Sequence, residues 1–184
     1  MILSVLTMMT MFQNKHVLVD TCVLSYIFRS PDIFAELFNE FAKVKCNICI
    51  HALLRLEFVR SAIGKAEKDK FDKFLNEEFL TIPVDSIVYK MADELYPLYN
   101  YCGSVRNQRQ ISVVDAINAS FLKKYNDGLF LLTLDNSDYP LEILDRVKVG
   151  AIDDGKQILT WGIYRFNPVK FEEKMGRFEG RGRK

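Results

Sequence analysis

The sequence predicts an α/β protein: a mostly parallel central sheet flanked by helices, with an extra β-hairpin near the C-terminus. Three observations carry this reading. Short apolar runs alternate with segments of helical period from His16 to Val149. The run LFLLTL, 129–134, is apolar on both alternating sets of positions, as a strand covered on both faces requires. From Val147 the pattern changes, and VKVGAIDDGKQILTWGIYRF reads as a hairpin turning at Asp154-Gly155.

The elements follow in order. His16–Val19 is a short apolar strand that ends at Asp20. SPDIFAELFNEFAKV has Ser30 as N-cap and Pro31 at the first helical position, with Phe34, Leu37, Phe38 and Phe41 as its apolar stripe. NICI is a second strand, and HALLRLEFVRSAIG is a helix stopped near Gly64. KAEKDKFDKFLNEE is an amphipathic helix with Phe71, Phe74 and Leu75 inward, and FLTIPV is a third strand. Asp85 caps SIVYKMADELYPLY, in which Ile87, Met91, Leu95 and Leu98 share a face; Pro97 is expected to kink or end that helix. A polar loop, NYCGSVRNQRQI, precedes VVDAINASFLKKYN, capped by Ser112 and ended by Asn126-Asp127-Gly128. After LFLLTL, the fourth strand, PLEILDR reads as a short helical piece and VKVGA as a fifth strand. The tail MGRFEGRGRK is basic and Gly-rich and reads as disordered. The expected organisation is a poorly ordered leader over 1–15, an α/β domain over 16–150, a hairpin extension over 151–172 packed on it, and a basic tail over 173–184.

Composition narrows the function. The chain has 184 residues, 49% of them hydrophobic and 27% charged, ordinary values for one globular domain. With 25 basic and 24 acidic residues, the net charge of +1 argues against a protein that relies on bulk positive charge to hold nucleic acid. Any such contact must come from local patches. The cysteines at 22, 46, 49 and 102 lie in apolar, strand-like settings, which fits a reduced, cytoplasmic protein. Cys46 and Cys49 do not read as a zinc pair: three apart on a strand, they point to opposite faces, and no second Cys/His pair follows at ligand spacing. The apolar start MILSVLTMMTMF lacks the basic region and cleavage site of a signal peptide and is too short to span a membrane.

The chemistry lies in acids that interrupt apolar patterns. Asp20 and Asp135 end apolar strands, and Asp138 follows three residues after Asp135. Glu57 sits between Leu56 and Phe58, and Asp115 between Val114 and Ala116, each early in a helix. In an open α/β sheet these positions can converge at the carboxyl ends of the strands. Such carboxylates repel one another and raise each other's pKa values. Oxygen ligands of high charge select hard cations, so Mg²⁺ or Mn²⁺ is the natural occupant, and a carboxylate-held metal suits phosphodiester hydrolysis. Three of the acids also have an ordinary role open to them. Asp115 completes a capping box with Ser112, Glu57 can pair with Arg60 or Ser61, and Asp138 can be a turn residue. Asp20 and Asp135 are harder to account for that way, since burying an unpaired carboxylate costs several kcal/mol.

VLVDTCVL, LLRLEF, ISVVDAINASFL and LLTLDNSDY, in that order and with TIPVDSIVYKMADEL between them, resemble the four motifs of the PIN-domain family of metal-dependent nucleases, and within it the VapC-type toxins. The resemblance runs from about His16 to Val149 and implies a PIN-like, Rossmann-like fold. Carried over by position, it implies Asp20, Glu57, Asp115 and Asp135 as the acidic metal cluster, with Asp138 replacing or assisting Asp135. Thr21 and Thr133 would support the acids from behind. It implies RNA as substrate, Mg²⁺ or Mn²⁺ as cofactor, cleavage to a 5′-phosphate and a 3′-hydroxyl, a homodimer, and often a cognate antitoxin, with no membrane association. Arg106 and Arg109, in the loop before the third motif, are placed to hold RNA phosphates or simply to solvate that loop. The apolar leader, the C-terminal hairpin and the basic tail are not part of the pattern. Two other readings compete: a non-catalytic PIN-like module that binds RNA or protein, and a phosphatase using Asp20 as nucleophile. The first should have lost an acid, and none is lost; the second usually wants an Asp where Cys22 stands.

Overall fold

A computed structural model describes residues 9–104 and 111–181. Six strands form one sheet in the order β3-β2-β1-β4-β6-β5. They are β1 (His16–Val19), β2 (Asn47–His51), β3 (Leu80–Ile82), β4 (Leu129–Thr133), β5 (Leu144–Asp153) and β6 (Ile158–Phe166). The first four run parallel, while β6 pairs antiparallel with both β4 and β5. The helices are α1 (Thr21–Arg29), α2 (Ala35–Lys43), α3 (Ala52–Val59), α4 (Lys65–Glu78), α5 (Ser86–Ser104), α6 (Val113–Tyr125) and α7 (Pro168–Arg181).

Strand alternation divides the core in two. Val17, Val19, Ile50, Phe130 and Leu132 face α1 to α4, where Val23, Leu24, Phe41, Leu54 and Phe71 close one layer. Leu18, Cys49, Leu129 and Leu131 face α5, α6 and α7, where Leu95, Leu98, Phe121 and Phe171 close the other. Every residue of β4 is buried, as its composition requires.

The structure departs from the sequence reading at several places. Helix α1 was not anticipated. Its Thr, Val, Ile and aromatic residues favour strands by propensity, but Val23, Leu24 and Ile27 line one helical face in the core, and packing overrides propensity. Pro31–Phe34 forms a single 3₁₀ turn before α2, and the Ser30 side chain makes no cap. Helix α5 continues through Pro97 to Ser104, because Leu98, Tyr99 and Cys102 beyond it are buried. Its inward stripe falls on Val88, Ala92 and Leu95, leaving Ile87 52% exposed. Leu144–Arg146, read as helical, belong to β5. The hairpin turns at Asp154-Gly155 as expected, but spans 144–166 and extends the central sheet through β4. The segment expected as a disordered tail over 173–184 is helical to Arg181: Phe171, Met175 and Phe178, at helical spacing, pack on the second core layer. In the segment read as a leader, Met9 and Phe12 are buried, with Phe12 edge-on to Phe41 and Phe130. Among the described residues no helix is long and apolar enough to cross a membrane.

Candidate active site

The parallel register of β1 and β4 builds the first half of the site. Val19 lies opposite Leu132, so the next residues along, Asp20 and Thr133, come side by side where both strands end. The Asp20 N–H donates to the Leu132 carbonyl, which holds the backbone at the strand edge. Asp20 is also the N-cap of α1, its Oδ1 accepting from the Thr21 N–H at 2.8 Å. Its Oδ2 accepts from the Thr133 hydroxyl at 2.7 Å and faces the Tyr139 hydroxyl at 3.3 Å. The carboxylate is therefore 7% exposed but not orphaned.

The other acids arrive from neighbouring elements. Glu57, on α3, accepts from the Thr21 hydroxyl, so Thr21 ties the first strand's end to the second acid. Arg60 approaches Glu57 at 3.8 Å, with a side chain 74% exposed. Asp115 takes the capping-box role and makes a second contact besides. Its Oδ2 accepts from the Ser112 N–H and hydroxyl in a capping box, while its Oδ1 accepts from Tyr139 at 3.0 Å. Asp135 and Asp138 lie in the loop after β4, bridged by the Ser137 hydroxyl, which reaches Asp135 at 2.6 Å and Asp138 at 3.3 Å. That loop is braced from the far side. Asn136 donates to the Thr160 carbonyl at 3.0 Å and accepts from the Tyr164 hydroxyl at 2.8 Å. Gly162 makes this approach possible, since a Cβ there would sit 2.2 Å from Asn136 Oδ1.

Electrostatics link the five acids. Burial pushes Asp20 up to about 6; Thr133's hydrogen bond opposes this and the Asp115 charge adds to it. Burial likewise raises Asp115, with Ser112 and Tyr139 opposing and Glu57 adding. Asp138 is pushed up to about 6 by burial, then by the charges of Asp135 and Asp115. Among the described residues no lysine or arginine pairs with Asp20 or Asp115. Cys22 lies beside them, its thiol 3.4 Å from the Thr133 hydroxyl and pushed up to about 12 by burial, so it is not a thiolate nucleophile.

Sequence reasoning missed three participants. Tyr139 is fully buried and touches both Asp20 and Asp115. Asn118, one turn after Asp115, donates to Tyr139 at 3.0 Å. His51 stands 2.8 Å from Asn118 and accepts the Leu54 N–H. For His51 and Asn118 the signal available was an uncharged polar group embedded in an apolar segment; Tyr139, in DNSDYPLE, carried none. Arg106 and Arg109 lie outside the described residues.

The donor set has the chemistry a hard divalent cation takes: carboxylate and hydroxyl oxygens, with Asp20, Asp115 and Asp138 raised by burial and further by a neighbouring carboxylate's charge. Among the described residues, no three acidic, histidine or cysteine side chains close around one point at ligating range. Hydroxyls of Ser137 and Tyr139 each bridge two of the acids instead, and that of Thr21 donates to Glu57.

A comparison with curated proteins finds no match. The sequence pattern of the PIN domain matches residues 17–139, well over half of the chain, from the second residue of β1 to the tyrosine between Asp20 and Asp115. With the mostly parallel sheet and the acids at its carboxyl edge, this match shows that the chain belongs to the PIN domain family, whose fold is of the nuclease type.

Proposed function

We propose that the protein is a divalent-metal-dependent endoribonuclease in which Asp20, Glu57, Asp115 and Asp135, with Asp138, hold Mg²⁺ or Mn²⁺. One observation supports this above the rest. Asp20 and Asp115, from different elements, meet at a single buried hydroxyl, and among the described residues no basic side chain pairs with either. Two carboxylates so placed raise the cost of the fold unless a cation joins them. A bound cation would supply Lewis-acid stabilisation to a phosphodiester and ease the ionisation of water.

The chain's own residues do the rest. Thr133 and Thr21 orient Asp20 and Glu57 by donating to them. Ser137 holds Asp135 and Asp138 together at the more open side, where a backbone phosphate can approach. RNA as substrate, a homodimer and a protein antitoxin as partner rest on the resemblance to VapC-type toxins, as does a cytoplasmic setting. Purified protein incubated with mixed RNA and Mg²⁺ or Mn²⁺, beside Asp20→Asn, tests the reading. Wild type should cleave to 5′-phosphate and 3′-hydroxyl ends. Loss of several kcal/mol of metal-derived stabilisation should slow the variant about a thousandfold. Cleavage by both proteins, or by neither, overturns the proposal; RNA binding without cleavage by wild type favours a non-catalytic module.

A further inference from the structure

Three uncharged polar side chains, His51, Asn118 and Tyr139, sit at zero exposure behind the acids, where apolar residues would cost less. Their hydrogen bonds have a single consistent direction. The Leu54 N–H donates to His51 Nδ1 at 3.0 Å, so Nδ1 carries no hydrogen and Nε2 does. Nε2–H then donates to Asn118 Oδ1 at 2.8 Å. That sets the amide, whose Nδ2 donates to the Tyr139 hydroxyl at 3.0 Å. Having accepted there, the hydroxyl directs its own hydrogen to the acids, Asp115 Oδ1 at 3.0 Å and Asp20 Oδ2 at 3.3 Å.

We propose that His51, Asn118 and Tyr139 are positioning residues, a buried chain that holds Asp20 and Asp115 as a matched pair for a divalent cation. The proposal rests on the metal-dependent reading of the site. The chain joins every element that brings an acid. His51 caps α3, which carries Glu57; Asn118 lies one turn beyond Asp115 on α6; Tyr139 follows Asp135 and Asp138 and reaches Asp20. Packing alone does not require the tyrosine hydroxyl, because a phenylalanine ring fills the same space beside Tyr164. What the hydroxyl adds is a restraint on two like charges that otherwise move apart. Asn118 in turn prevents the hydroxyl from rotating away.

Mn²⁺ affinity, measured by calorimetry on the full chain, tests this separately from catalysis. Tyr139→Phe should weaken Mn²⁺ binding about tenfold, the lower end for residues behind metal ligands. Asn118→Leu should weaken it less. The double variant should match Tyr139→Phe alone, because the amide acts only through the tyrosine, whereas a general loss of stability would add. Wild-type affinity in Tyr139→Phe, or losses that add in the double variant, overturns the proposal. If Tyr139→Phe does not fold, Asn118→Leu decides: unchanged binding overturns it. A wild type that binds no Mn²⁺ fails the metal-dependent reading itself and the chain with it. A wild type that binds and cleaves, beside an unaltered Tyr139→Phe, fails only the positioning chain.

Discussion

The Thr133 hydroxyl donates to Asp20 at 2.7 Å while accepting the Asp135 N–H at 3.0 Å. One side chain at the end of β4 thus sets the carboxylate of the neighbouring strand and the first turn of its own loop. Thr133→Val keeps the shape and removes both bonds. A hydrogen bond to a buried charge is worth about 2 kcal/mol, so the variant should lose about that much stability at pH 7. The loss should shrink near pH 4, where Asp20 is protonated. Urea unfolding at the two pH values measures it.

Asp20 makes the metal-free fold less stable at neutral pH. Its value in the fold is about 6, above the ordinary 3.8, so its favourable contribution is complete below about pH 4 and is lost as pH rises through 6. At pH 7 the ionised carboxylate costs about 3 kcal/mol on that basis. In chelator, Asp20→Asn should therefore be more stable than wild type at pH 7, with the difference vanishing toward pH 4. His51, lowered to about 4 by burial, pulls total stability the other way below pH 6.5, but is common to both proteins and cancels in the difference. Mn²⁺ should reverse the order, because an ion that binds only the native wild type stabilises it by about 4.1 kcal/mol at about a thousandfold excess over its dissociation constant, more than that cost. Thermal melts across pH, with and without the ion, test both statements.

Gly162→Ala should damage a site it does not touch. A Cβ there meets Asn136 Oδ1 at 2.2 Å and Tyr164 Cε2 at 2.7 Å, so the loop or the tyrosine must move. Overpacking of this kind costs roughly 1–3 kcal/mol. Displacing Asn136 also shifts Asp135 and Asp138, so RNA cleavage at a temperature where the variant is fully folded should fall further than wild-type-like stability explains. Activity equal to wild type there would show that the brace is not needed.

Much of the architecture was legible because it rests on local pattern. The apolar run of β4 and the capping of α6 by Ser112 announce themselves in a few residues. The carboxyl-edge placement of Asp20 and Asp115 followed from strand ends and helix starts alone. Helix α1 was not legible, since TCVLSYIFR carries strand-favouring residues and only the core fixes its conformation. Helix α7 was hidden by its glycines and charges, which outnumber the three inward residues that hold it. Tyr139 was hidden for a different reason. Its role depends on partners 24 and 119 residues away in the chain, and nothing local marks a buried hydroxyl that meets two acids.

The antiparallel pairing of β6 with β4 also gives the protein an order of assembly. When a ribosome has delivered residues 17–139, all five acids and the whole matched family region exist, yet β4 still has an open edge and Asn136 has neither the Thr160 carbonyl nor the Tyr164 hydroxyl to rest on. Only after residues 158–166 have been synthesised can the last two acids be held in place. A nascent chain carries the complete set of acidic residues well before it carries a finished site.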